Sequence, residues 1–414
     1  MGSDPLSRKP IHLAAHFPGV GSPVEFESFV HLARTAERGL FDFLLAEGPR
    51  GREYRDRIYD LDVVGRLDTC TVLAALAGVT DRIGLTGTID TTFNEPFEVA
   101  RQFATMDHLS DGRSGWNIVA SSDAFTGANF RRGAFLDPAD RYQRLEEFLI
   151  AARKFWDGWA PGAVLADAQD GVYVDPNGIR AVEYRGVHFD VRGFATLPAG
   201  PQGHPVLLHA GDSAEGRAFG ARYADALFTL HASVQDGRHH YADVKGRAKD
   251  CGRDPNRLKV FAATAFVIGD TTDDAEDRAR HIRYQQVSRA AAIAMLERVW
   301  GRDLSQYDPD GPLPAIDPIA NSAAVVRQYR DRAQAQNLSI RELVIAVTSR
   351  QQFVGTPAHL AEEIDRYVQA DACDGFILAP HGLDEFVDRV VPLLQERGAF
   401  RTEYAGHTLR EHLG

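Results

Sequence analysis

Eight short apolar runs recur along this chain with helix-patterned stretches between them, and that rhythm limits the fold more than any single residue does. The runs cover residues 11–17, 41–47, 83–90, 115–121, 205–210, 226–230, 258–268 and 375–380. Each is nearly continuous in hydrophobic side chains, the mark of a strand buried on both faces, whereas residues 26–38 and 139–155 repeat at the helix period. Such strands need a parallel sheet covered on its outside by helices, and eight repeats predict closure of an α/β fold into a (β/α)8 TIM barrel. Residues 101–121, RQFATMDHLSDGRSGWNIVAS, hold one such unit: the spacing puts Phe103, Met106 and Leu109 on one helix face and makes a turn of Ser110-Asp111-Gly112. The strand that follows delivers Asn117 and Ser121 toward its carboxyl end, where barrel enzymes build their active sites.

Two segments interrupt the rhythm. Residues 157–203 are rich in Gly, Pro and aromatic side chains, and their pieces VEYRG and VHFDV predict a hairpin between the fourth and fifth strands. Residues 285–348, with the Pro-rich piece DPDGPLPAIDP, separate the seventh strand from the eighth. Insertions of that length in a barrel serve as lids or interface elements, so residues 1–414 read as a single barrel domain with two insertions. Hydrophobic residues make up 44% of the chain, enough for a large core, and the net charge of −12 without a Lys/Arg run argues against nucleic-acid or anionic-membrane partners. A small-molecule substrate is the expectation. The three cysteines, Cys70, Cys251 and Cys373, lie far apart, which fits a reducing compartment, and no apolar run reaches 18 residues, so the expected location is cytoplasmic.

Several polar residues stand where the barrel mouth is expected. Glu47 closes the second run, and Thr88 with Asp90 shares one face of the third. Tyr142 opens a helix behind Asp137 and Pro138, and Gly211-Asp212-Ser213 lies between the fifth strand and a helix, a layout that turns backbone N–H groups and one hydroxyl toward a phosphate. Each has a plainer reading as well: a solvated strand-end acid for Glu47, a self-satisfied threonine edge for Thr88, rim packing for Tyr142 and simple helix capping for Ser213. His12 and His16 are four residues apart, about 13 Å along a strand, too far to share a metal ion, and His16 reads as a rim residue in reach of substrate. GDSAEG is not a GxSxG nucleophile elbow, and neither a GxGxxG after a strand nor a P-loop occurs.

The blocks around Phe41, residues 68–121, Arg141 and Gly211 resemble the bacterial luciferase-like flavin-dependent monooxygenases, in the branch of the nitrilotriacetate, dibenzothiophene-sulfone and long-chain alkane monooxygenases. The resemblance implies a two-component enzyme that takes reduced FMN (FMNH2) from a separate NAD(P)H:flavin reductase. It further implies insertion of one oxygen atom of O2 into a small organic substrate through a flavin peroxide, in a homodimer or homotetramer. Carried over position by position, Glu47 becomes the acidic residue near the flavin, Thr88 and Asn117 the oxygen pocket, and Tyr142 a flavin-facing residue. Gly211, Asp212 and Ser213 become the phosphate loop, with His209 in place of the usual Gln. One departure stands out: Pro138 occupies the position where the family usually has a His, one helical turn before Tyr142. A proton must then come from Tyr142, Glu47, His16 or the substrate, or the oxygen transfer needs no acid, the route this departure favours. A deazaflavin-dependent oxidoreductase on the same barrel and a non-catalytic flavin-binding protein are the other two classes that fit these residues.

Overall fold

The computed structural model describes residues 8–17, 24–47, 53–54, 57–58, 67–120, 138–230, 233–319, 323–348, 351–379 and 382–414. Ser121, Asp137 and Pro380, named above, lie outside them. Two compact units divide the chain, one formed by residues 1–264 with 361–414 and the other by residues 265–360.

The first unit is the barrel. Its strands are β1 (His12–Phe17), β2 (Phe43–Ala46), β3 (Gly84–Asp90), β4 (Ser114–Val119), β5 (Val206–Ala210), β6 (Ala226–Thr229), β7 (Lys259–Ile268) and β8 (Gly375–Leu378). Each pairs in parallel with the next, and β8 pairs with β1, so the ring closes. All eight apolar runs of the sequence are strands of this ring. Inside it, Ala14, Phe43, Leu45, Leu208, Phe261 and Ile377 meet in one buried cluster, with Phe43 and Phe261 edge to face at 5.2 Å. Leu409 and Leu413, from a short helix at the end of the chain (Leu409–Leu413), join the same cluster. They enter at the amino ends of the strands, where glycines leave room: a Cβ on Gly84 would stand 2.5 Å from the Leu409 side chain. The amino end of the barrel is thus plugged by the end of the chain.

Helices cover the ring: α1 (Phe26–Arg38), α2 (Thr69–Ala77), α3 (Pro96–Leu109), α4 (Pro138–Trp156), α5 (Ala214–Tyr223) and α6 (Val234–Asp250). Pro96 starts α3, where its missing N–H costs nothing, and Phe103 stacks on Trp116 at 5.5 Å while the Trp116 indole donates to the Ile89 carbonyl at 3.0 Å. Phe103 and Met106 are buried as expected, but Leu109 is 60% exposed. Six residues on from Phe103 it has rotated about 120° around the axis, off the buried stripe. The turn after it is the predicted one, with Gly112 at φ +83°. In the 157–203 insertion the predicted hairpin pairs Ala181–Arg185 with Asp190–Phe194, and a second, unpredicted one pairs Val164–Asp167 with Val172–Val174. Glu147 on α4 accepts the N–H groups of Val187 and His188 at 3.1 and 2.8 Å, which ties the first hairpin's tip to the helix layer.

The second unit has its own core, in which Ala292, Leu296, Trp300, Val326, Ile340, Leu343 and Val344 pack together. The Pro-rich piece wraps this core, with the Trp300 indole donating to the Ile316 carbonyl at 3.1 Å. A short strand, Gln351–Gly355, pairs in parallel with Ala265–Ile268, the end of β7 that belongs to this unit.

Candidate active site at the carboxyl ends of the strands

Strand alternation sends every second side chain of β1 to β4 into the ring, and near the carboxyl ends of these strands four polar ones form two pairs. His16 on β1 and Glu47, one residue past β2, meet with Nε2 and Oε1 2.8 Å apart. Both side chains are partly exposed, at 30% and 21%. On the neighbouring strands Thr88 lies opposite Asn117 in register, and the Asn117 Nδ2 donates to the Thr88 hydroxyl at 2.9 Å. Both are buried. The Asn117 Oδ1 has no hydrogen-bond partner among the described residues, nor has the Thr86 hydroxyl one layer below. Buried polar atoms without partners are uncommon, and here they leave an acceptor and the Thr88 proton for a third group.

Around the ring, β5 leads into Gly211-Asp212-Ser213 and the ten residues of α5. Ser213 caps the helix, its hydroxyl accepting from the Gly216 N–H at 3.1 Å, and the Tyr142 hydroxyl from α4 stands 3.4 Å from the same oxygen. The Ser213 proton points to the Glu215 carboxylate in the free protein, so an anion that takes that carboxylate's place meets a capping hydroxyl that still donates. The glycines are needed for close approach: a Cβ on Gly216 would stand 2.8 Å from both the Gly211 Cα and the Tyr142 hydroxyl. Asp212 is fixed by the Thr229 hydroxyl at 2.7 Å, and its carbonyl accepts from Arg217, so its carboxylate braces the loop and does not face the helix end. The exposed Glu215 carboxylate is held below its usual range by its own backbone N–H and by the Ser213 hydroxyl, with Arg141 and Arg217 adding positive field. An anion is therefore stabilised at this helix start, as the dipole and free N–H groups require, and a phosphate group fits the donor set.

Asp90, expected beside Thr88 at the mouth, takes another role, and His12 is kept apart from His16 as expected. Asp90 accepts the Phe93 N–H at 2.9 Å and closes the turn after β3, and its carboxyl is raised by burial. His12 points to the opposite end of the barrel from His16 and bonds Asp42 at 3.1 Å. Pro138 starts α4 as its pattern predicts. The residue to which sequence reading assigned no task is His209, the second-last residue of β5. It is buried, its Nδ1 lies 2.8 Å from the Ile118 carbonyl, and burial lowers its pKa to about 4. Its place two residues before the phosphate loop was the available signal.

Among the described residues no group of three or more His, Cys, Asp or Glu side chains could hold a metal ion, and no helix is long and apolar enough to cross a membrane. The sequence pattern of the luciferase-like monooxygenase family matches residues 11–399. N-acetyl-S-(2-succino)cysteine monooxygenase of Bacillus subtilis (strain 168) is 38% identical over 400 residues, covering 94% of this chain and 90% of that protein. Nitrilotriacetate monooxygenase component A of Aminobacter aminovorans is 38% identical over 412 residues, with 94% and 90% covered. Among solved structures, DmoA from Hyphomicrobium sulfonivorans matches with a TM-score of 0.84 at 27% identity, covering 98% of this chain and 92% of that one. The closed ring with its site at the carboxyl ends and the length of these matches lead to one conclusion: the chain belongs to the luciferase-like monooxygenase family and is an enzyme of the flavin-dependent oxygenase kind.

Proposed function

We propose that this protein is the oxygenase component of a two-component system. It binds reduced FMN, delivered by a separate NAD(P)H:flavin reductase in the cytoplasm, and uses O2 to place one oxygen atom on a small organic substrate. The observation that carries this reading is the meeting of the Tyr142 and Ser213 hydroxyls at 3.4 Å on the start of α5. These two hydroxyls and the backbone N–H groups of residues 211–213 hold the flavin phosphate. When bound, reduced FMN supplies the chemistry that activates O2. Thr88 and Asn117 would offer O2 a buried hydroxyl proton and amide, and Glu47 orients the His16 imidazole at the rim. Water exclusion at this buried layer favours transfer to substrate over loss of reducing power. A homodimer or homotetramer is part of the proposal and is read by light scattering.

Ser213→Asp tests the phosphate assignment. A fixed negative charge against a phosphate dianion is expected to weaken anaerobic FMNH2 binding by about tenfold or more, measured by fluorescence titration. An unchanged dissociation constant removes the phosphate from this loop.

A further inference from the structure

The imidazole of His209 has a nitrogen with nothing to do. Its Nδ1 faces the Ile118 carbonyl at 2.8 Å, and a carbonyl only accepts, so Nδ1 carries the proton and Nε2 holds a lone pair. That Nε2 is fully buried and meets no donor among the described residues. It sits against the phosphate loop, 2.7 Å from where a Cβ on Gly211 would stand. The ring is walled by Tyr142, edge-on at 6.3 Å, and by Phe219 on α5 at 4.9 Å. A buried acceptor left bare in a rigid apolar wall is costly, and it lies beside the place where a dianion is expected.

We propose that His209 takes up a proton at Nε2 when the flavin phosphate occupies Gly211 to Ser213, so that binding of phosphorylated flavin is proton-coupled and binding of riboflavin is not. This rests on the phosphate assignment above. Burial keeps the imidazole neutral in the free protein. The arriving phosphate brings two negative charges into a region of low dielectric, which favours the charged imidazolium. The proton comes from solvent, no bond other than N–H is made, and the loop gains a counter-charge that riboflavin cannot use. The groups facing this region do not replace it. From α4 come Tyr142, which is uncharged, and Arg141, and from β4 only a carbonyl. From α5 come Glu215 at the helix start and Arg217, which pairs with Asp243 of α6, while Asp212 is bound to Thr229 of β6. His240 of α6 is kept neutral first by its own burial, which the nearby Asp212 only partly offsets. A glutamine at position 209 could fill the same space and donate to the same carbonyl, but it has no site for a proton.

The test is calorimetric titration of FMN and of riboflavin into the full-length protein at about pH 6.5, near the usual imidazole pKa, in two buffers of different ionisation enthalpy. The expected result is that FMN binding takes up close to one proton more in the unsubstituted protein than in His209→Gln, since a group whose pKa crosses the working pH changes charge almost fully. Any proton that the phosphate itself releases beside the imidazolium lowers this difference at about pH 6.5, and the measurement at higher pH removes that contribution. Riboflavin is expected to give the same proton count with both. Equal FMN counts in the two proteins overturn the proposal, while weakened FMN binding in Ser213→Asp leaves the phosphate assignment standing. Unchanged FMN binding in Ser213→Asp overturns both. If His209→Gln does not fold, His209→Asn gives the same comparison. At about pH 7.5, where the phosphate is already dianionic, FMN binding to the unsubstituted protein without any proton uptake relative to riboflavin overturns the proposal by itself.

Discussion

Thr88 and Asn117 share one hydrogen bond at 2.9 Å, and each keeps one group for a further partner. Thr88→Val is nearly isosteric, removes the hydroxyl and strands the Asn117 Nδ2 in a buried layer. The expected outcome is a reaction of the bound reduced flavin with O2 slower by about 100- to 1,000-fold, what loss of one placed donor costs, with flavin affinity little changed. Stopped-flow absorbance checks it, and an unchanged rate moves the oxygen pocket elsewhere. The His16–Glu47 bond at 2.8 Å alters the preference that Pro138 had set, because it supplies an oriented imidazole where the sequence alone offered scattered residues. His16→Ala is expected to slow single-turnover oxygenation by about 100-fold, and Glu47→Gln to slow it less, since it removes only the orienting charge. If both variants match the unsubstituted protein across pH, the route that needs no protein acid is restored.

At the scale of elements, two short pieces do more than their length suggests. The five-residue helix at the chain end puts Leu409 into the barrel core, fully buried against Gly84 and Gly115. Its capping box, Thr408 with Glu411, fixes the helix start so that the leucine enters at one angle. Leu409→Ala is expected to cost about 2–5 kcal/mol, the range for a buried leucine whose site cannot collapse, measured by denaturant unfolding. The start of α5 is the second case. Gly→Ala within a helix normally gains up to about 1 kcal/mol, but a methyl on Gly216 would stand 2.8 Å from the Gly211 backbone and the Tyr142 hydroxyl. Overpacking against backbone costs about 1–3 kcal/mol, so strain wins, and Gly216→Ala is expected to lower FMN affinity by pushing α5 off the loop.

For the barrel as a whole, an ion cluster at its amino end joins the first strand, the start of β2 and the C-terminal tail. Asp42 is fully buried, accepts from the Leu13 N–H at 2.9 Å, and pairs with Arg401 and His12. Burial works against its charge, but Arg401 and then His12 outweigh it and hold the carboxyl down to about 2. A carboxylate depressed on folding adds stability that is full above its usual pKa and fades as pH falls from about 4 toward 2, roughly 2 kcal/mol in all. His209 acts in another window: its folded pKa of about 4 lies below the usual 6.5, so the unfolded chain binds the extra proton and stability falls as pH drops from about 6.5 to 4. Unfolding of the flavin-free protein against pH is therefore expected to show a shallower upper slope in His209→Gln, with His240 and His412 keeping the remainder, and a shallower lower slope in Asp42→Asn. Unchanged slopes in either variant reject the matching assignment.

The eight strands, the helices between them, the turn at Gly112 and one hairpin were legible in the sequence because each depends on local patterning: which faces are apolar, where a positive φ is needed, where a turn residue stands. The resemblance to a family added which residues to watch at the mouth. Contacts between distant positions were not legible, because periodicity records that a side chain is buried and not what it is buried against. Leu109 continued the apolar spacing and is nevertheless exposed, since only the packed layer decides where a helix stripe ends. His16 with Glu47, Tyr142 with Ser213 across 71 residues, Leu409 inside the ring and the bare nitrogen of His209 all follow from strand register and ring closure. Those pairings exist only once the barrel has closed, which is why the chain alone offered candidate residues while the tertiary structure set their partners and their protons.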